Sequence, residues 1–197
     1  LSFTTTSALN IGTYNGVTGI TAASVTLSAG GLTDTSDAGI TVTSSSSIAI
    51  TNASGSYDFS GVIAGPTTLT KSGAGTQTLS AANSYTGLTT ISAGILRLGV
   101  AGDSTNTPLG TTAAGTTISA GGTLDLNGYT LGTAEALTIN GYGVGNNGAL
   151  INSSASNAAT YSGAITVGSA SYVGGAGSIT LSGTVGAASY GVAFIGA

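Results

Sequence analysis

The sequence predicts an all-β protein, a parallel β-helix in which short strands stack one above another. Apolar residues recur in alternating triplets, which are typical of strands because alternate side chains face opposite sides. Gly and Asn, which tolerate positive φ, separate the triplets. No window keeps the i, i+3, i+4, i+7 spacing of an amphipathic helix. The triplets lie at residues 25–27, 40–42, 48–50, 96–98, 124–126, 137–139 and 179–181.

The short strands also indicate how they are arranged. Strands of about three to five residues do not form stable hairpins alone, whereas a solenoid pairs each strand above and below. The triplet that starts at Leu124 is followed 13 residues later by the one at Leu137, and those at Val25 and Ile48 are 23 residues apart. Turns of about 20–25 residues would give eight to ten turns. We therefore predict one continuous domain over residues 1–197.

The composition excludes several partners. Charged residues make up 4% of the chain, against about 25% in ordinary soluble domains. Lys71 and Arg97 are the two cations, and the net charge is −4. Nucleic acids and anionic membrane surfaces require several cations, so neither is expected as a partner. No apolar run approaches the roughly 18 residues of a membrane-spanning helix, so this segment is not expected to insert into a membrane.

Four residue types are missing from the chain: Met, Cys, His and Trp. Without Cys and His there is neither a disulfide nor a zinc site of thiolates or imidazoles, and a Ser–His–Asp triad is impossible. Absence of Cys suits a chain that crosses an oxidising compartment unfolded. Since translation begins with Met, and neither 1–7 nor 192–197 resembles a cap, we expect the solenoid to continue into further turns or a neighbouring copy.

One segment is more specific than the periodicity. It contains Leu69-Thr-Lys71-Ser-Gly73-Ala-Gly75-Thr-Gln77-Thr-Leu79, then Asn83-Ser-Tyr85-Thr-Gly87, then Ala93-Gly94-Ile-Leu96-Arg97-Leu98-Gly99. This segment, residues 69–99, resembles the passenger-associated autotransporter repeat, with Gln77 and Leu88 standing where the family often has Leu and Gly. Residues 121–129 and 145–154 are similar to segments that follow such repeats. The resemblance implies a right-handed parallel β-helix in a secreted, bacterial cell-surface passenger, and it implies no catalytic residue.

The residues of this segment also have a physical interpretation. Asn83 is a candidate for an asparagine ladder, and Tyr85 for stacking within a turn. Lys71 lies between turn signals and is predicted to be a solvated edge charge. The expected inward-facing residues are Leu69, Leu79, Ile91, Leu96 and Leu98, and the expected corners are Gly73, Gly75, Gly87 and Gly94.

Three patterns suggest ligands, and each has a simpler explanation. Residues 143–148 satisfy G-x-G-x-x-G, but a strand follows, and a dinucleotide site needs a helix there. Residues 174–182 resemble a calcium-binding nonapeptide, but Ile179 occupies the position of the Asp ligand. Asp34 and Asp37 could hold one calcium ion weakly, although a solvated loop is the preferred interpretation.

Catalytic and sugar-binding groups are also sparse. The acids Asp58, Asp103, Asp125 and Glu135 are scattered, with Asp125 in a strand pointing outward, whereas a glycan-cleaving site needs clustered acids. A Ser–Lys dyad would require Lys71 to be buried. The eight tyrosines could form a sugar-binding platform, but packing within the turns is the preferred interpretation. They are Tyr14, Tyr57, Tyr85, Tyr129, Tyr142, Tyr161, Tyr172 and Tyr190.

The sequence therefore favours a non-enzymatic structural role, as an extracellular rod, filament or surface scaffold. No catalytic, cofactor-binding or metal-binding residue is predicted, and the expected partner is the chain itself, end to end or through further turns. An adhesin that binds a host or matrix surface is the alternative, which exposed aromatics aligned on one face would support. A polysaccharide-processing enzyme is the third and least favoured hypothesis, which acids converging in a groove would support.

Overall fold

Twenty-five short strands follow one another along the part of the chain that the computed structural model describes, residues 1–14, 17–35, 37–187 and 189–196. They are β1 (Ser2–Thr4), β2 (Ala8–Ile11), β3 (Thr13–Tyr14), β4 (Val17–Thr18), β5 (Ile20–Ala22), β6 (Thr26–Ala29), β7 (Gly31–Asp34), β8 (Ile40–Val42), β9 (Ser46–Ile50), β10 (Ser56–Phe59), β11 (Ile63–Gly65), β12 (Thr67–Lys71), β13 (Thr76–Leu79), β14 (Ser84–Tyr85), β15 (Thr89–Ile91), β16 (Gly94–Leu98), β17 (Thr116–Ile118), β18 (Gly122–Asp125), β19 (Leu137–Gly141), β20 (Leu150–Ile151), β21 (Ala159–Tyr161), β22 (Ile165–Gly174), β23 (Ile179–Leu181), β24 (Val185–Ala187) and β25 (Val192–Phe194).

Apart from β3 and β4, the strands form three faces of a solenoid, because each pairs with a strand one turn away rather than with its neighbour in sequence. The first face consists of β1, β6, β9, β12, β15, β17, β19, the start of β22, and β24. The second face consists of β2, β7, β10, β13, β16, β18, β20, the end of β22, and β25. The third face contains β5, β8, β11 and β14, and later β21 and β23.

The stack has about nine turns, as the sequence predicted, and the predicted all-β parallel solenoid is confirmed. Among the described strands, each strand pair that joins successive turns is parallel. Strand β22 is ten residues long and turns a corner, so it pairs on both the first and the second face. One backbone ladder of 15 strands therefore joins these two faces.

The core lies along the axis in columns of side chains that stack from turn to turn. On the first face one column runs through Ala29, Ile50, Lys71, Ile91 and Ile118, which stand directly opposite one another in successive strands. All five are buried. The predicted inward-facing residues Leu69, Leu79, Ile91, Leu96 and Leu98 are each at most 1% exposed. The alternation read from the sequence is therefore confirmed.

The structure departs from a uniform coil in a few places. Strands β3 and β4 form a small antiparallel pair, at a turn whose predicted signal, Asn15-Gly16, lies outside the described residues. The chain crosses the third face in two long loops, 99–115 and 126–136. One 3₁₀ helix, Val144–Asn146, interrupts the strands. Within the described ranges, no helix has the length and apolar character that a membrane crossing requires.

A side chain replaces part of the backbone ladder on the second face. Among the described strands, β7 pairs with β2 and β10 pairs with β13, and no ladder joins β7 to β10. The side-chain amide of Gln77 spans this break. Its Oε1 accepts a hydrogen bond from the Leu32 N–H at 2.9 Å, and its Nε2 donates to the Leu32 carbonyl at 3.0 Å. Gln77 is fully buried. Its two bonds to Leu32 take the place of the backbone pair that is missing between β7 and β10.

We expect Gln77→Leu to lower the free energy of unfolding by about 2–4 kcal/mol. The substitution leaves the buried N–H and carbonyl of Leu32 without partners, and each unmade bond costs about 1–3 kcal/mol. Urea denaturation followed by circular dichroism measures the change. The control is Thr78→Val at the adjacent outward position, which should change stability by about 0.5 kcal/mol or less. Equal stability of the two variants would contradict the bridging role.

Candidate functional site

Lys71 is buried inside the solenoid, so the prediction that it is a solvated edge charge is wrong. It is the last residue of β12 and lies two positions after Leu69, so both side chains point inward. In the column of stacked side chains it stands between Ile50 and Ile91. The turn signals belong to the residues after it, and the spacing of two from Leu69 was the signal that indicated burial.

Backbone carbonyls surround the Lys71 ammonium group. Its Nζ donates to the carbonyl oxygens of Ser72 and Gly73, each at 2.8 Å, and of Ala93 at 3.2 Å. These contacts tie two successive turns together at one corner. Burial lowers the pKa of Lys71 to about 8, because a charged amine is poorly solvated in the interior. Since the ammonium group donates to three backbone carbonyls, Lys71 has a structural role and is not paired with a serine hydroxyl.

The two residues of the repeat for which stacking was predicted, Asn83 and Tyr85, are also buried. The Asn83 side chain accepts from the Ile63 N–H at 2.8 Å and donates to the Pro108 carbonyl at 2.8 Å. Its side-chain partners are therefore backbone groups of adjacent turns, so the predicted asparagine ladder is not formed by these contacts. Tyr85 packs inside the turn as expected, and its hydroxyl lies 2.6 Å from Thr89 Oγ1.

A second buried ionisable group lies two turns farther along. Glu135 is fully buried in the loop 126–136, and its Oε1 accepts a hydrogen bond from Thr116 Oγ1 at 2.6 Å. Its other oxygen, Oε2, has no partner among the described residues, and neither has the hydroxyl of Thr133. Burial raises the pKa of Glu135 to about 8, although the bond from Thr116 opposes the shift. The carboxyl group is therefore largely neutral at pH 7.

The Arg97 side chain, 33% exposed, pairs with Asp125 on the second face, with Nε and Oδ2 2.8 Å apart. Asp125 lies on the outward side of β18, as predicted, but it is fully buried, which the sequence analysis missed. Its Oδ1 accepts from the N–H groups of Asn127 at 2.9 Å and Ser153 at 3.0 Å. The residues after two successive strands thus fold over the carboxylate and cover it.

The remaining acids lie apart from one another. Asp34 accepts from the N–H of Ser60 at 2.6 Å, while the exposed Asp37 adopts a positive φ of 55°. Asp103 accepts three bonds from Thr105 and Asn106, and these lower its pKa to about 2. Over the described ranges, acidic side chains do not gather in any group of three that could hold a metal ion.

The two glycine-rich patterns are structural features. In 143–148 the 3₁₀ helix is one short turn, and strand β20 follows it as the sequence predicted. In 174–182, Gly175 and Gly177 pack over residues of the turn below. A Cβ on Gly175 would lie 2.4 Å from the Asn152 carbonyl oxygen, and one on Gly177 would lie 1.9 Å from that of Ser154. Only glycine leaves room for this close approach.

The same corner is built from Asn52, Gly73 and Gly75 in the repeat. The Gly75 N–H donates to the Asn52 carbonyl at 3.0 Å, and a Cβ on Gly73 would lie 2.2 Å from that oxygen. Around Asn152 the matching bond from the Gly177 N–H is also 3.0 Å long. We call this arrangement the Asn–Gly corner: an asparagine in one turn beneath a Gly-x-Gly in the next.

The tyrosines occupy different environments. Tyr85 and Tyr161 are fully buried, and the Tyr161 hydroxyl donates to the Glu135 carbonyl at 2.9 Å. Burial raises the pKa of both phenols well above the usual value. Tyr142, 44% exposed, lies against Tyr172 with ring centroids 4.4 Å apart and the ring planes tilted by 35°. One pair of rings therefore lies near the surface, and the tyrosines do not form a common platform along one described face.

Charged side chains are confined to certain parts of the solenoid. The strands of the second face carry Asp34, Asp58, Arg97 and Asp125. Lys71 and Glu135 point inward, and Asp37 and Asp103 lie in loops. The outward side of the first face therefore carries no charged residue in its described strands. It is instead lined with hydroxyl-bearing and small side chains.

A comparison with protein-family models matches residues 69–98 to the passenger-associated-transport-repeat. This is the segment on which the sequence resemblance was based, and the match confirms the resemblance. No curated protein and no solved structure gives a significant match to the chain.

Proposed function

We propose that this chain, in which a passenger-associated transport repeat and a β-solenoid together indicate an autotransporter passenger-like surface protein, serves as a structural rod. The observation that supports this role best is the uninterrupted parallel ladder on the first face, which runs through about nine turns. At the usual strand spacing such a stack is about 40 Å long. Backbone pairing along the axis provides the cohesion, and a side-by-side core of large residues is not needed.

The charged groups support the same proposal. Lys71, Asp125 and Glu135 are fully buried, and Arg97 is tied to Asp125. These groups hold turns together or lie within the stack, and the described acids do not converge in a groove. Polysaccharide processing therefore receives no support from the geometry. The adhesin alternative calls for exposed aromatic rings aligned on one face. The pair of Tyr142 and Tyr172 supports it only in part, because two rings do not make an aligned row. Self-association remains a prediction, which sedimentation of the isolated chain would test.

Trypsin should cut the folded chain very slowly. Its two target residues are Lys71, which is fully buried, and Arg97, which lies within β16 and is bonded to Asp125. A protease must bind several residues in an extended, detached form, and paired strands do not offer this. Gel electrophoresis and mass spectrometry of timed digests measure the cleavage, with the heat-unfolded chain as the control.

Rapid cleavage of the folded chain at both sites would contradict a rigid rod. The proposed role itself is tested by electron microscopy of the native assembly on the cell surface. We expect rods with an axial repeat of about 4.8 Å. Confinement of the protein to the cell interior, or particles without this repeat, would overturn the proposal.

A further inference from the structure

Five threonines form a straight ladder on the outside of the first face. Thr70, Thr90, Thr117, Thr138 and Thr166 stand directly opposite one another in β12, β15, β17, β19 and β22. Neighbouring strands are about 4.8 Å apart, so the ladder extends over about 19 Å. We call these five residues the threonine ladder.

A second row of polar side chains follows the threonine ladder. Two residues after the first four threonines of the ladder, in chain order, lie Ser72, Ser92, Ser119 and Asn140. Residues i and i+2 of a strand are about 6.6 Å apart, so the two rows form a two-dimensional grid. The backbone bonds from the N–H of Ser92 to Lys71 and of Ser119 to Ile91 keep the second row in step with the strands.

The ladder hydroxyls are available to an external partner. Each of the five threonines is at least partly exposed. Within the described part of the chain their hydroxyl groups make no hydrogen bond, whereas in the second row Asn140 Nδ2 donates to the Ile118 carbonyl at 2.8 Å. Thr is stiff at χ1 because it is branched at Cβ, so a threonine on a paired strand is already ordered. Binding through such a row costs little side-chain entropy.

The chemistry of this surface limits what can bind it. Outward positions of the first-face strands carry neither charge nor aromatic ring among the described residues. A charged polymer therefore has no complementary group, and a sugar ring has no aromatic platform on which to stack. A grid of hydroxyl and methyl groups with a fixed period instead suits a neutral partner whose donors and acceptors also recur at fixed positions.

We propose that the threonine ladder binds the surface of ice. Water molecules in an ice lattice are neutral, and they offer donors and acceptors in regular rows that a rigid grid of hydroxyl groups can engage. The methyl group of each threonine adds apolar surface that is removed from liquid water on contact. Binding by this face would add a function to the rod and does not depend on its proposed structural role.

The test uses the full chain and measures ice growth directly. Thermal hysteresis, the gap between the melting and freezing temperatures of a single ice crystal, and inhibition of ice recrystallisation are the two readouts. We expect the wild-type chain to show both activities. Thr117→Lys at the centre of the ladder should abolish them, because a long charged side chain prevents close contact. Circular dichroism and the melting temperature verify that the variant is folded.

Thr160→Lys is the matched control, since Thr160 is also an outward strand residue, but on the third face. It should retain the wild-type hysteresis. Absence of ice activity in the folded wild-type chain, or equal loss in both variants, would overturn the proposal. So would sedimentation that shows a dimer dissociated by Thr117→Lys, because a second copy would then cover the face. Binding of the wild-type chain to crystalline cellulose, lost in Thr117→Lys without ice activity, would also overturn it.

Discussion

Lys71→Ala should lower the free energy of unfolding by about 3–5 kcal/mol. The substitution opens a cavity in the column between Ile50 and Ile91, and truncation of a long buried side chain costs about 2–5 kcal/mol by itself. It also removes the donor that three carbonyl oxygens share. Urea denaturation at pH 7, monitored by circular dichroism, measures the loss.

Lys71→Met separates packing from hydrogen bonding, because Met fills a similar volume without the ammonium group. We expect a loss of about 1–3 kcal/mol from the carbonyls left without a donor. Thr70→Ala, at the adjacent outward position, is the control and should change stability by about 1 kcal/mol or less. A Lys71→Met variant as stable as the wild type would show that the carbonyl contacts contribute nothing.

Glu135→Gln should make the stability of the protein less sensitive to pH between 4.5 and 8. The folded-state pKa of Glu135 is raised to about 8 from the ordinary value of 4.5. A raised pKa contributes stability that is complete below the unfolded value and is lost as pH rises through the folded value. In the wild type this loss amounts to about 5 kcal/mol at most, at 1.36 kcal/mol for each unit.

Denaturation curves of the wild type and Glu135→Gln at pH 5, 6, 7 and 8 measure the difference. The gap between the two should shift in favour of the variant as pH rises, and it should level off above pH 8. Lys71 acts in the opposite direction, since its lowered pKa makes stability increase between about pH 8 and pH 10.5. The combined contribution of these two groups to stability is therefore smallest near pH 8. A constant gap between wild type and Glu135→Gln would contradict the neutral, buried carboxyl group.

The sequence predicted the strands better than the contacts between turns. Alternation around Leu69, Leu96 and Leu98 was sufficient to place inward side chains, because a strand has a period of two. The same period places the side chains of Lys71 and Gln77 inside, but because these side chains are polar, the sequence did not indicate that they are buried. Their partners explain why they are tolerated there: Gln77 binds Leu32, 45 positions away in sequence. Such a partner is set by the length of each turn, and no local pattern encodes that length.

Asp125 illustrates a second limit. Its position in β18 indicated the outward side correctly, yet it is fully buried because Asn127 and Ser153 cover it. Burial on the outside of a solenoid depends on where loops from two turns fold. The threonine ladder, in contrast, follows directly from register, although the sequence alone does not show which threonines stand opposite one another.

The Asn–Gly corner is a joint between turns that the chain uses more than once. Asn52 and Asn152 lie in distant parts of the chain, yet each forms the same joint with the coil that follows. In both places the side-chain nitrogen of the asparagine also donates to the carbonyl one residue after the second glycine, that of Thr76 at 2.8 Å and of Ser178 at 2.9 Å. Because the joint needs only an asparagine and a Gly-x-Gly one turn later, the same short pattern serves at two distant levels of the solenoid.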